Sequence, residues 1–510
     1  MTTSSTFAAI VLAAGQGGRM RSSIPKPLHS LAGRPMISYP VQAALDAGAS
    51  QVIVVLGDQA AQVHAELRAR FRKRLVCVAQ AEPRGTLDAA RCGIEAMGRD
   101  VAWALVLPAD MPLISAAALR SLLDTATAGE APLTLLTSRQ TVPRGGAPIV
   151  RNAAGSVVAC REHAHTSRRE LATDEVSAGL YAVERGFFLN ALSKLEEGRG
   201  GAADVDGTNS TDSAAGADAA AAVAAAQDAD PGAERPPHEK QLGDLVALAV
   251  GAGGVQACCW SSEETLDAND LAELSQRQRV LRLRIAMQHA SRGVILRDPT
   301  TAYIDADVRI EPDAVIEAMV SLRGTTHVAS GAHIDVGCVL DNVRVGAGAR
   351  IKPYTVAQDS EIERDAQIGP FSHLRPQSHI GRDARVGNFV ETKKTRLGTG
   401  SKANHLTYLG DGVIGAGVNI GAGTIFCNYD GFNKHTTTLE DGCFVGSDSQ
   451  LVAPVTIGTG AYVASGTTVT RDVPADALAI GRAAQLNKPG KARELKGRLA
   501  GRRRAGRGKP

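Results

Sequence analysis

Residues 304–340 read IDADVRIEPDAVIEAMVSLRGTTHVASGAHIDVGCVL, and every sixth position is aliphatic: Ile304, Ile310, Ile316, Leu322, Val328, Ile334 and Leu340. After a slip of one residue the rule resumes at Val345 and Ile351, then at Ile362, Ile368, Leu374, Ile380 and Val386. It returns at Val445, Leu451, Ile457, Val463 and Val469. A helix repeats every 3.6 residues and a strand every 2.0, so neither produces a period of six. A parallel β-helix does: each short strand turns one aliphatic side chain inward, where it stacks on its equivalent one coil away. Gly and Ala recur at the corners, as in IGRDARVG and VIGAGVNIGAG. Such coils expose a face, and ligand sites form where a second chain packs alongside, so oligomerisation is expected.

Upstream the pattern changes. FAAIVLAAG, QVIVVLG, RLVCVAQ and VAWALVL within residues 7–115 are short apolar runs bounded by turn residues, with helical stretches such as MISYPVQAALDAG between them. Continuous apolar strands are covered on both faces, which predicts a mostly parallel, Rossmann-like α/β sheet. Residues 199–237 are rich in Ala, Gly and Asp and nearly lack large apolar side chains, so they read as a flexible insertion. Helical spacing without a breaker from Leu271 to about Arg292 predicts a connecting arm. The predicted organisation is thus a first domain over 1–263, a helical arm over 264–300, the β-helix over 301–482 and a basic tail over 483–510. That tail holds KARELKGRLAGRRRAGRGK with Glu494 its only acid. It reads as solvated and disordered, the alternative being weak polyanion binding.

Composition narrows the function. In 510 residues, Lys+Arg minus Asp+Glu is 56 − 53 = +3, too balanced to argue for nucleic acid. The 54 glycines exceed the typical share of about 7%, and aromatics are only 4%. Eight cysteines show no CxxC pair and no zinc spacing, which reads as reduced thiols. FAAIVLAAG has no basic residues before it and runs straight into GQGGR, so it reads as a strand rather than a signal peptide. No stretch reaches the ~18 apolar residues of a membrane span. A cytoplasmic protein is expected.

LAAGQGGRM, Leu12 to Met20, follows the first strand. A Gly-rich turn there exposes backbone N–H groups, and a following helix would add its positive end, which suits an anion such as a nucleotide phosphate, although the turn alone reads more readily as merely tight. Arg19 and Lys26, in IPKPLH, add the positive charge a polyphosphate reaction needs. Asp110 follows the VAWALVL strand. An acid at that edge is placed to hold Mg²⁺, its alternative being a helix N-cap.

Together LAAGxGxRM, PKxLH, the QAExxGT segment from Gln80 to Thr86 and the strand-end Asp resemble sugar-phosphate nucleotidyltransferases. With the six-residue repeats, GSKANHLTYLGD and NIGAGTIFCNYDG, the chain resembles the bifunctional bacterial family of glucosamine-1-phosphate N-acetyltransferases and N-acetylglucosamine-1-phosphate uridyltransferases. The likeness is close from about 300 to 482 and looser before 260. It implies a left-handed β-helix, a homotrimer and a role in precursors of cell-envelope polysaccharides.

In that family the β-helix moves acetyl from acetyl-CoA to the amine of glucosamine 1-phosphate. The resemblance makes His405 the general base and Glu391 the carboxylate that works with it. Arg375 and Lys393 would hold the sugar phosphate, and Tyr408 and Asn419 the sugar. Ala422, Asn428, Tyr429, Ser447, Ser465 and Arg482 fall where the family binds acetyl-CoA. Read singly, His405 could be an exposed loop histidine, and Arg375 or Lys393 a solvated face. In the first domain the resemblance implies that N-acetylglucosamine 1-phosphate is joined to UTP with release of pyrophosphate. Lys26 and Arg19 would carry out most of the charge neutralisation, with Mg²⁺ on Asp110 and Asn269. Leu12, Ala13, Ala14 and Gly15 would line the nucleotide turn, Gln80, Gly85 and Thr86 the uracil, and Gly145, Glu162 and Ser177 the sugar.

The first domain departs from the family pattern repeatedly. The usual Tyr-Gly before the metal Asp is Pro108-Ala109, and a Gly-Tyr-Gly-Arg loop is Gly145-Gly146-Ala147-Pro148. An expected Lys is Ala164, the sugar-binding Asn is Ser177, and the Arg after Asn269-Asp270 is Leu271. In the second domain Ser465 stands for Ala. Two alternatives therefore stay beside the bifunctional reading. One is an acetyltransferase whose first domain is a scaffold or has altered specificity. The other is a non-enzymatic assembly subunit, against which the intact NHLTYLGD and CNYDG segments count.

Overall fold

The computed structural model describes residues 6–15, 17–57, 60–82, 84–140, 147–160, 173–197 and 240–506. The 199–237 insertion lies outside them. The chain divides into two compact units, 1–283 and 284–510, so the boundary falls inside the helix Leu271–Ser291, within the 264–300 segment.

The first unit is built on a seven-stranded sheet. Its strands lie in the order Val255–Trp260, Leu133–Arg139, Glu175–Glu184, Trp103–Pro108, Phe7–Ala13, Gln51–Leu56 and Val76–Ala79. Glu175–Glu184 runs antiparallel to both neighbours, and the other pairings are parallel. The continuous apolar run of the first strand is explained by two cores. Phe7, Ala9 and Val11 enter one with the helices Ser38–Asp46 and Ala116–Ala128. Ala8 and Ile10 enter the other with Thr86–Glu95 and Leu245–Val250. Each fully buried aliphatic contributes roughly 1.5–3 kcal/mol relative to exposure, so both faces hold the strand.

The second unit is a left-handed parallel β-helix of three sheets with eleven, ten and nine strands. Ile304 pairs with Leu322, Ile310 with Val328 and Ile316 with Ile334, each eighteen residues on. The slip after Leu340 is a shortening to seventeen: Val328 pairs with Val345 and Ile334 with Ile351. The ladder does not lapse between Val386 and Val445. Thr392, Leu397, Ala403, Leu409, Ile414, Ile420, Phe426 and Leu439 fill it, all buried. Coiling begins before residue 301, because Ile295–Leu296 already pairs with Val315–Ile316.

One expectation is corrected at the C-terminus. Within the basic segment 483–510, Lys491–Gly506 form a helix rather than a disordered tail. Its Ala, Lys, Arg, Leu and Glu are strong helix formers, and Lys491 pairs with Glu494 one turn on. Its described side chains are exposed, so local propensity rather than core packing favours it.

Candidate functional site

The carboxyl ends of Phe7–Ala13 and Trp103–Pro108 open onto a cavity of about 680 Å³. Leu12, Ala13, Ala14 and Gly15 form one wall, Gln80, Gly85 and Thr86 another, and Lys26 and Asp110 carry its charge. The turn after Leu12 leads only into a three-residue 3₁₀ segment, Gly18–Met20, and the first α-helix starts at Ser38. The helix dipole expected there is therefore absent, and side-chain cations take its place. Asp110 is not an N-cap, because Ser115 caps the next helix, its Oγ accepting from Ala118 N at 3.2 Å.

Four predicted residues converge. Lys26 Nζ donates to Asp110 Oδ2 and, at 3.0 Å, to Asn269 Oδ1; Arg19 donates to the same Asn269 oxygen at 2.8 Å. Ala268 N donates to Asp110 O at 2.9 Å, so the start of the predicted linker arm belongs to this site. Asn269 Nδ2 donates to Asp267 at 2.7 Å, which turns its oxygen toward the cations. Burial pushes the Asp110 carboxyl up, against the pull of Lys26. Its second oxygen, Oδ1, is buried without a hydrogen-bond partner among the described residues.

That orphaned oxygen and the Asn269 carbonyl, which accepts from the same Lys26 ammonium as Asp110, are hard oxygen donors of the kind Mg²⁺ takes. No cluster of three or more His, Cys, Asp or Glu occurs among the described residues.

Ser177 is buried, its Oγ accepting from Gly179 N at 3.2 Å, and it is not itself among the residues that line the cavity. Beside it Cys160 and Tyr181 line the cavity, and burial pushes the Cys160 thiol up to about 11. Gly145 and Glu162 lie outside the described residues. Sequence reasoning missed the 3₁₀ segment Leu242–Asp244, which forms part of the wall. Thr86 Oγ1 donates to Gln241 Oε1 at 2.7 Å and accepts from Leu242 N at 3.0 Å. Contacts across 155 and 156 positions place that segment here, and no local motif marks it.

In the β-helix, Lys402, Asn419, Phe444 and Tyr462 stand in register through successive coils. Three residues beyond them come His405, Ala422, Ser447 and Ser465, so all four share one edge of the prism. Arg482 joins the next coil and donates to Ser465 O at 2.9 Å. His405 is exposed, and its ring makes no hydrogen bond to a described residue. Around the corner Glu391 pairs with Tyr408, and Lys393 with Gly410. Arg375 donates to Glu391 at 2.8 Å, so this carboxylate is bonded to the predicted phosphate clamp and not to His405. A side chain at Gly410 would meet Tyr408 Oη at 2.5 Å and Asn428 Nδ2 at 2.6 Å, which shows how closely those groups approach. Asn428 is buried and donates to Asp411, whereas Tyr429 is exposed beside Lys434.

Gly387 offers a test of the edge. A Cβ there would stand 1.9 Å from Asn404 O, on the residue before His405. Gly387→Ala is expected to shift that corner and to slow the acetyl transfer that the resemblance implies by up to about 10²-fold, as a misplacement near 1 Å can. Pyrophosphate release by the same preparation should not change. Thiol release at the wild-type rate would refute the link between this corner and the chemistry.

Two family models match the chain: the MobA-like NTP transferase domain over residues 9–196, and the bacterial transferase hexapeptide (six repeats) over 436–471. The chain is also similar along its length to curated relatives called bifunctional protein GlmU. It is 49% identical to that of Sorangium cellulosum, over 96% of this chain and 97% of the relative. Identity is 44% with that of Anaeromyxobacter sp. strain Fw109-5 (95% and 92% covered) and 41% with that of Pelobacter propionicus (95% and 97%).

Proposed function

The chain belongs to the GlmU family of bifunctional enzymes, and from that premise we propose how its residues divide the two reactions. The β-helix unit acetylates glucosamine 1-phosphate from acetyl-CoA. The first unit transfers UMP from UTP to N-acetylglucosamine 1-phosphate, giving UDP-N-acetylglucosamine and pyrophosphate.

For acetyl transfer, the observation that carries the assignment is the shared edge. His405 heads the column Ala422, Ser447 and Ser465, and Arg375, Lys393 and Tyr408 lie just around the corner. Acetyl-CoA lies against Ala422, Ser447, Ser465 and Arg482, with Asn428 and Tyr429 beside it. Arg375 and Lys393 hold the phosphate, and Tyr408 and Asn419 the sugar. The amine attacks the thioester carbon, its proton passes to the His405 imidazole, and the coenzyme leaves as thiolate to be protonated. Glu391 serves by holding Arg375 in place.

For uridyl transfer, an oxygen of the sugar phosphate attacks the α-phosphorus of UTP, and pyrophosphate departs. Lys26 and Arg19 neutralise phosphate charge in that displacement. Mg²⁺, when bound, would add further charge neutralisation, and Asp110 and Asn269 would supply oxygens to hold it. Gln80, Gly85 and Thr86 face the base, and Ser177 the sugar, with Gly145 and Glu162 assigned there by resemblance alone.

The assembly is a homotrimer in the cytoplasm. Met319, Tyr354, Phe371, Phe389 and Leu406 form an exposed apolar ridge in the left-handed region, with φ from 47° to 60°. Tyr354, Phe371 and Phe389 stack at 5.4 and 5.6 Å. Bulky side chains held in that strained region and exposed, three of them stacked, suit a surface that a second copy covers. Leu406 ends the ridge beside His405, so that copy would wall the acetyl site. No helix among the described residues is long and apolar enough to cross a membrane.

The test gives purified protein each half-reaction separately, with products identified by mass and the particle sized by light scattering. Acetylated sugar phosphate, UDP-sugar and a threefold particle are expected. Loss of either product from the wild type would remove that half of the assignment.

A further inference from the structure

Gln80 lies on the cavity wall just after the strand Val76–Ala79. Its Nε2 donates to Asp88 Oδ2 at 2.8 Å and to Gly85 O at 3.3 Å. Both partners are acceptors. An amide carries donors on nitrogen and acceptors on oxygen, so the reversed orientation would set oxygen against oxygen. Oε1 makes no bond to a described residue, and it is the polar atom left for a ligand.

Asp88 is itself fixed. It sits in the first turn of Thr86–Glu95, where Arg91 donates to Oδ1 through Nε at 3.1 Å and a terminal nitrogen at 2.7 Å. Glu95 holds the other arm of Arg91 at 3.1 Å. Oδ2 is thereby reserved for Gln80. Burial alone would raise the Asp88 carboxyl, but the hydrogen bonds from Gln80 and Arg91 outweigh it and hold it below the usual range. It is ionised at neutral pH and has no proton to offer the amide.

We infer that Asp88 is a positioning residue for base selection: by locking the Gln80 amide it makes the pocket offer an acceptor. Such a pocket takes a base with an N–H at that edge, as uracil has at N3. It rejects one with a lone pair there, as cytosine has. The inference rests on the reading that Gln80 meets the base of UTP. Cytosine would leave two buried acceptors facing each other, the arrangement by which sites reject near-isosteres most strongly.

The test compares kcat/KM for UTP and CTP in pyrophosphate release, using the intact enzyme with N-acetylglucosamine 1-phosphate. Asp88→Ala frees the amide, and the UTP-over-CTP ratio should fall by about 10- to 100-fold. Asp88→Asn separates positioning from packing. Arg91 keeps the new amide oxygen, the new nitrogen turns to Gln80, and Gln80 rotates to offer its own NH₂. The ratio should then fall at least as far as in the alanine variant. A packing role predicts the reverse order, because Asn is nearly isosteric. Acetyl transfer and thermal unfolding of each variant report the fold, and equilibrium dialysis with UTP and CTP gives the preference independently of turnover. An unchanged ratio in Asp88→Asn overturns the inference while leaving Gln80 at the base. A wild type without preference for UTP over CTP overturns both.

Discussion

Replacing His405 by alanine should slow acetyl transfer by roughly 10²–10⁴-fold, the share that general acid–base catalysis commonly supplies. Pyrophosphate release by the same protein should be unchanged. The amine of glucosamine 1-phosphate must lose a proton as it attacks, and His405 is the titratable side chain on the edge shared with Ala422, Ser447 and Ser465. Glu391 cannot replace it in this arrangement, because it is engaged by Arg375 at 2.8 Å. The loss should appear in kcat rather than in KM for acetyl-CoA, since the imidazole moves a proton and does not anchor the thioester. Thiol release at the wild-type rate would mean that another group takes the proton.

Asp110→Ala should eliminate metal-dependent pyrophosphate release and leave acetyl transfer intact. This carboxylate is the anionic partner of Lys26, with side chains only 18% and 15% exposed. Removing one member of so enclosed a pair leaves an uncompensated charge, which typically costs about 3–5 kcal/mol. Asp110→Asn therefore serves as the companion variant. It keeps the shape but loses the anionic oxygen that a hard cation requires, so turnover should disappear while thermal unfolding changes less. Activity retained in the asparagine variant would show that the carboxylate is an anchor for Lys26 and no more.

Most of the fold could be read from the sequence because its signals are local. Seven consecutive aliphatic sixth positions from Ile304 to Leu340 announce the coil before any pairing is seen. The ladder fades to the eye after Val386 because Thr392 and Ala403 occupy inward positions without being Ile, Leu or Val. Seventeen-residue coils also shift the frame, and a 25-residue coil separates Ile420 from Val445. The C-terminal helix was hidden by its charge, since a run of like charges reads as disorder even where each residue favours a helix.

The candidate sites were legible where one short segment carries several groups, as in Ser401–Asp411 or Leu12–Gly15. They were not legible where separate segments meet. Asn269 came only from resemblance, and its orienting partner Asp267 was missed. Asp88 looks like any acid in a first helical turn until Gln80 is seen donating to it. Gln241 and Leu242 follow a low-complexity stretch, and only their bonds to Thr86 reveal them.

The column of corners that begins at His405 has a metric consequence. Neighbouring strands lie about 4.8 Å apart, so three steps from the level of His405 to that of Ser465 span ~14 Å. The prism is in effect a graduated scale. A single molecule that meets both marks must be elongated and lie along the axis. Adding one whole turn between them would displace the far mark by one graduation without disturbing either corner, so repeat number itself gauges the length of the ligand.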